Sequence, residues 1–291
     1  MLKMSNTRYF WNPILLIGYV LLLSPLVQAD TDSMIETFCK QQPAILVIGA
    51  SFSDGRSPIN DNMLSPSGGG AVNFGSYLGL GAALTRIHRL PGFVINEAQA
   101  GATTFDRLSC NPGPNCSPIG WQGYDKQFDK ALARVTVRNP LNPAEVLCYN
   151  AQYIVLTIAN DCLHSGAFLI PQSETQPCTQ DELTAYINRL IAVGQRALDI
   201  GITPIYDKYP AYSEINLLIA QQTYGMNWVL DEGQYNVLRN LHSTNIAIDL
   251  PDALIVDMWR KFTPTNDGLH PNSKTSMKAA HRILRAMNQD K

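Results

Sequence analysis

The chain has 291 residues, 45% of them hydrophobic and 16% charged, with a formal net charge of −2. That composition fits a globular protein able to bury a full core and excludes a disordered or collagen-like chain. No basic stripe appears, which disfavours a nucleic-acid partner.

Residues 1–29 read as a signal peptide: Lys3 and Arg8 form a basic start, residues 14–27 an apolar run, and Val27-Gln28-Ala29 a small-residue cleavage site before Asp30. Pro13 and Pro25 bracket a segment too short to span a bilayer comfortably. Cleavage would remove both basic residues, leaving 20 Lys and Arg against 24 Asp and Glu, a net of −4. The expected location is therefore secreted or periplasmic, with residues 30–291 forming one domain.

Residues 44–48 are an unbroken apolar run, as expected of a strand buried on both faces of a parallel sheet. It ends in the small-residue turn Gly49-Ala50-Ser51-Phe52-Ser53-Asp54-Gly55. Open α/β sheets place their chemistry at such carboxyl ends. Residues 56–72, with Pro58, Pro66 and the triplet Gly68-Gly69-Gly70, read as a polar loop. A Gly-diluted helix is expected over 74–87 and a short strand over 93–96. Residues 104–120 read as loop, and 124–137 as an amphipathic helix stopped by Asn139-Pro140.

The next buried strand is expected over 153–158, running into Ala159-Asn160-Asp161. Thr179 and Glu182 form a capping box for a helix ending at Gly201, and 202–206 is a fourth strand. Residues 207–232 are an unusual connection rich in aromatics (Tyr209, Tyr212, Tyr224, Trp228), readable as an acyl-chain groove or lid or as plain core packing. A helix from 231 to about 244, the apolar segment 246–248, a strand over 254–257 and a final helix over 273–288 complete the chain. Strands alternating with helices imply one doubly wound α/β domain with a parallel central sheet.

The six cysteines (Cys39, Cys110, Cys116, Cys148, Cys162, Cys178) are an even count in a chain expected to be exported, and no CxxC pair or His cluster suggests a metal. Cys39 and Cys148 both precede buried strands, at one rim of the sheet. Cys162 follows its strand and Cys178 ends the loop begun there, while Cys110 and Cys116 close a short Pro/Gly loop. Of the fifteen pairings six cysteines allow, this polarity selects 39–148, 110–116 and 162–178.

Before the last helix stands Asp267-Gly268-Leu269-His270-Pro271. A carboxylate three residues ahead of an imidazole can fix its tautomer, leaving the far nitrogen to accept a seryl proton. A second Asp-x-x-His, Asp161-Cys162-Leu163-His164, follows a strand end, where local capping is the simpler role. Ser51, Gly101 and Asn160 each follow an inferred strand and so share one sheet edge. The backbone N–H groups of Ser51 and Gly101 and the Asn160 amide would together make an oxyanion hole.

In these four blocks, Ile48 to Gly55, Asn96 to Thr104, Ile158-Ala159-Asn160-Asp161 and Asp267 to Pro271, the chain resembles the SGNH, or GDSL-type, hydrolases. The resemblance implies a flavodoxin-like three-layer α/β/α sandwich and ester hydrolysis without a metal or other cofactor. It departs from the family at Ala50, where the Gly-Asp-Ser acid should stand, and at Ile158, in place of the glycine of Gly-x-Asn-Asp. The resulting expectation is an exported serine esterase, lipase- or lysophospholipase-like, using Ser51, His270 and Asp267. A small-molecule, lipid or glycan ester is the expected partner, with transient membrane-surface contact. Alternatives on the same site are a carbohydrate O-acetylesterase and an acyltransferase. A catalytically silent SGNH-like binding module is a reading of another class.

Overall fold

The computed structural model describes residue 39 and residues 42–54, 62–64, 71–73, 77–88, 90, 92–106, 122–164 and 177–290. The candidate signal peptide and Cys110 and Cys116 lie outside the described residues. Nine strands are described: β1 (Ala44–Ile48), β2 (Asn62–Leu64), β3 (Ala71–Asn73), β4 (Val94–Asn96), β5 (Thr136–Asn139), β6 (Asn142–Tyr149), β7 (Ala151–Leu156), β8 (Thr203–Asp207) and β9 (Leu254–Val256). The helices are α1 (Leu80–Thr85), α2 (Tyr124–Val135), α3 (Gln180–Asp199), α4 (Leu217–Tyr224), α5 (Glu232–Asp249) and α6 (Ser273–Gln289).

Five strands form one parallel sheet in the order β4-β1-β7-β8-β9. Every residue of β1 is buried, which explains why its sequence is apolar without alternation. The chain runs from β1 to β4 on one side and then to β7, β8 and β9 on the other, and parallel neighbours of this kind are joined by crossovers that carry the helices over the sheet faces. Accordingly α1 packs on α6, while α2, α3 and α5 pack side by side as a second set. This is the flavodoxin-like three-layer arrangement. Its chain order reverses between β1 and β7, opening a crevice at their carboxyl ends. The two strand ends that carry Ser51 and Asn160 flank that crevice.

Several elements differ from the sequence reading. The helix expected over 74–87 is confined to Leu80–Thr85, with Gly79 at its N-cap and Tyr77 bridged to Asn272. The loop expected over 56–72 contains β2, whose partner β3 lies at its end. The helix expected to reach 137 ends at Val135, and the chain enters the antiparallel hairpin β5–β6. Five of the eight β6 residues are exposed, so the hairpin lacks the buried alternation that marks a strand in sequence. Residues 246–248 form no separate segment: they continue α5, with Ile246 buried and Ile248 69% exposed.

The capping box at α3 is present, with Thr179 accepting from the Glu182 N–H and Glu182 accepting from Thr179. Cys39 is bonded to Cys148 and Cys162 to Cys178. No described helix is long and apolar enough to cross a membrane.

Candidate active site

The turn after β1 is held by its own backbone and by the sheet around it. The Ala50 carbonyl accepts the N–H groups of Ser53 and Asp54 at 3.1 and 3.0 Å, making one helical turn around Ser51. Ala50 is buried, a position where an acidic side chain would need a partner of its own. Phe52 packs edge-on against Trp259 and stacks on Phe262, with ring centroids 5.3 and 5.7 Å away. Asn96 donates to the Ser53 carbonyl at 2.8 Å, and the Ser53 and Thr157 hydroxyls bond at 2.6 Å. Ser51 itself is half-buried on this fixed turn.

The second block is tied to the first. The Gln99 N–H donates to Gly49 O at 3.1 Å and the Ala100 N–H to Asp54 Oδ2 at 3.2 Å. Gly101 has φ +83, a left-handed conformation that side chains other than glycine adopt at a cost. The third block joins them through Asn160, whose Nδ2 donates to Ala102 O at 2.9 Å. That contact uses one of the two amide hydrogens. The sheet edge thus brings Ser51, Gly101 and Asn160 together.

In the fourth block, Asp267 Oδ2 lies 2.5 Å from His270 Nδ1. Its Oδ1 accepts from the Leu269 and His270 N–H groups at 2.8 and 2.9 Å and from Thr265 Oγ1 at 2.8 Å. Burial alone would raise the proton affinity of Asp267, but the facing His270, through its charge and hydrogen bond, and the two backbone donors outweigh it. The carboxyl is held well below the usual carboxylate range. The His270 ring meets Tyr77 edge-on at 5.5 Å and Phe52 at 6.0 Å, while the Tyr77 hydroxyl donates to the Ser51 carbonyl. Tyr77 therefore touches both the Ser51 turn and the His270 ring.

The second Asp-x-x-His is different. Asp161 Oδ2 accepts the Thr104 N–H at 2.8 Å, and Oδ1 takes the Thr104 hydroxyl at 2.5 Å and Arg189 at 3.1 Å. Its carboxylate is committed to the second block and to α3 rather than to His164, which is buried and bridged to Val229. Burial, only partly offset by Thr104 and Arg189, raises the Asp161 pKa.

Three residues that no motif flagged also shape the site. Tyr77 and Tyr224 flank His270, and Asp207 Oδ2 accepts both the Ile158 N–H at 3.0 Å and the Trp259 indole N–H at 2.9 Å. Ile158, the other departure from the family pattern, is buried. Beside the Asn160 strand end, Phe105, Asp161, Glu182, Arg189 and the Cys162–Cys178 bridge line a cavity of about 210 Å³. Among the described residues, no group of three or more His, Cys, Asp or Glu could hold a metal ion.

A half-buried serine on the carboxyl edge of a parallel sheet, with a buried Asp–His couple in the closing turn, has the parts of a nucleophilic hydrolase. The chain belongs to the GDSL-like lipase/acylhydrolase family, whose model matches residues 45–283. Among solved structures it is similar to Est24, a carbohydrate acetylesterase from Sinorhizobium meliloti, at 13% identity over 85% of this chain and 99% of that one, with a TM-score of 0.49. It is also similar to Axe2, an acetylxylan esterase from Geobacillus stearothermophilus, at 17% identity over 86% and 96% of the two chains, with a TM-score of 0.43. A third similar structure is a candidate SGNH hydrolase from Slackia heliotrinireducens, at 16% identity over 85% and 100%, with a TM-score of 0.46. No curated protein matches significantly.

Proposed function

We propose that the protein is an exported serine ester hydrolase in which Ser51 is the nucleophile, His270 the general base and Asp267 its orienting carboxylate. The observation that carries this reading is the buried contact of His270 Nδ1 with Asp267 Oδ2 at 2.5 Å. With the near nitrogen committed to the carboxylate, the far one is left to exchange protons.

In the first half-reaction Ser51 Oγ adds to the ester carbonyl as His270 takes its proton. The carbonyl electron pair moves onto oxygen and faces the N–H groups of Ser51 and Gly101 and the second amide hydrogen of Asn160. Collapse breaks the ester C–O bond, and His270 returns the proton to the departing alcohol. Water then repeats the sequence on the acyl-enzyme, releasing a carboxylic acid and free Ser51.

Two features bear on substrate. Leu218 and Ile219 on α4 are 65% and 40% exposed, and Ile219 borders Gly268 in the Asp267 turn, an apolar rim that suits a fatty acyl chain or a passing contact with a lipid surface. Against that, Tyr209, Tyr224 and Leu230 of the aromatic connection are buried in the core, which leaves little of it for a groove and favours a short acyl group such as acetate on a glycan. Export is supported by the 39–148 and 162–178 disulfides, which persist in oxidising compartments. In this reading the mature domain begins at Asp30.

The test is hydrolysis of p-nitrophenyl acetate, butyrate and palmitate by the mature oxidised protein, beside Ser51→Ala. Turnover lost in Ser51→Ala is the expected result, and the preferred chain length separates lipase from acetylesterase. Product analysis with an added alcohol distinguishes hydrolysis from acyl transfer. A folded wild type without turnover on all three esters would instead support the binding module.

A further inference from the structure

A third side chain, Tyr224, is bonded to the Asp267–His270 couple. We infer that Tyr224 is a positioning residue of this couple, its hydroxyl holding Asp267 Oδ2 beside the imidazole. The inference rests on the reading of His270 as the general base.

The hydroxyl donates to Asp267 Oδ2 at 2.8 Å and lies 3.2 Å from His270 Nδ1, and the Tyr224 and His270 rings meet edge-on at 5.9 Å. With Oδ1 already taking three donors, the phenol and the ring N–H converge on the remaining oxygen. Five groups thus bear on the one carboxylate, three on Oδ1 and two on Oδ2.

The placement of Tyr224 is built rather than incidental. It ends α4, which Gly225 stops in a left-handed conformation at φ +64 with its N–H on Gln221 O. The other end of the helix is fastened to the catalytic turn itself, because the Asn216 N–H donates to Gly268 O at 2.7 Å. Gly268 has φ +78, and a Cβ there would fall 2.5 Å from Asn216 O, so helix and turn approach backbone to backbone. Asn216 also caps the helix, its side chain accepting from the Ile219 N–H at 3.1 Å. A short helix with an unremarkable apolar pattern is thus anchored at both ends around one hydroxyl.

The phenol remains a donor throughout any working pH range, since burial and then the Asp267 charge push its pKa far above the ordinary tyrosine value. Two donors on Oδ2 share the charge of that oxygen. Without the phenol, Oδ2 would bind the Nδ1–H more strongly and the imidazolium would hold its proton to higher pH. Among the described residues, the titratable groups facing the couple are Tyr224 from α4 and Tyr77, whose own hydroxyl is turned to the Ser51 carbonyl.

The experiment compares wild type, Tyr224→Phe, Asp267→Asn, the double variant and Ser51→Ala on a p-nitrophenyl ester from pH 5 to 9. Tyr224→Phe should lower kcat by about 10-fold with KM within about 2-fold, and move the midpoint of the kcat limb to higher pH by about half a unit. In the Asp267→Asn background the same change should cost almost nothing further. Site-specific 3-fluorotyrosine at position 224, a stronger donor of nearly the same shape, should move the midpoint the other way. Unchanged kcat and midpoint in Tyr224→Phe, with Ser51→Ala inactive, would reduce Tyr224 to core packing. Full activity in Ser51→Ala would instead overturn the underlying assignment of the site.

Discussion

Asp207, at the end of β8, accepts the backbone N–H of Ile158 at 3.0 Å, two residues ahead of Asn160 in the segment that follows the neighbouring strand β7. The same oxygen takes the Trp259 indole N–H, and Trp259 packs against Phe52 beside Ser51. One buried carboxylate therefore ties the third block to the Ser51 turn. Truncating it leaves two buried donors without an acceptor. Asp207→Ala should cost about 3 kcal/mol in urea unfolding. Asp207→Asn, which keeps one acceptor oxygen, should retain more of both stability and activity.

Asn160→Ala tests the oxyanion assignment separately from the fold. Loss of one such donor should reduce kcat by about 10²–10³-fold. The lost contact with Ala102 O should cost stability only about 1 kcal/mol, because one of the two groups disappears and the Asn160 N–H also reaches that carbonyl, at 3.3 Å. A steady-state assay with thermal denaturation of the same samples reads both quantities. A collapse in stability with no loss in kcat would reverse the assignment.

The Asp267 carboxyl predicts an acid limb in stability. Its folded pKa lies below that of the unfolded chain, so its ionised form stabilises the fold above the unfolded value of about 4. That contribution drains away as pH falls from there toward the folded value. Asp161, with a raised folded pKa, acts in the opposite direction, favouring the fold when protonated and losing that contribution as pH rises. Urea midpoints followed from about pH 5 down to about pH 2 should fall on acidification below the unfolded value in the wild type, with a shallower slope in Asp267→Asn.

The two described disulfides should differ in worth. Cys39–Cys148 spans 109 residues and Cys162–Cys178 only 16. On a chain-entropy account their removal costs about 4.7 and about 3 kcal/mol respectively. Paired Cys→Ser variants compared by chemical denaturation should rank in that order.

How much of this was legible in sequence depends on whether a feature is local. The buried runs of β1 and β8, the Thr179–Glu182 box and the Asp267–His270 spacing are short-range patterns, and each stands near its expected place. Strand β7 begins at Ala151 rather than 153 and stops at Leu156, before the residues that turn toward the site. The hairpin β5–β6 was hidden because its residues face solvent and Pro143 sits within it. Tyr224 and Asp207 carry no local signature at all. Their roles come from partners 43 and 49 residues away, a distance that no periodicity spans. The composition of the aromatic connection suits an acyl-chain groove or lid as well as core packing, and Tyr209 and Tyr224 are buried in the core.

The β5–β6 hairpin departs from the beginning of β7, and its tip at Leu141 is 87% exposed. Because the sheet is parallel, the base of the hairpin stands at the amino ends of the strands, opposite the ends that carry Ser51 and Asn160. The molecule thus has a natural handle: an insertion, a fusion partner or a surface linkage at residues 140–141 would leave the crevice facing open solution, with Cys39–Cys148 pinning the base of the hairpin against pull.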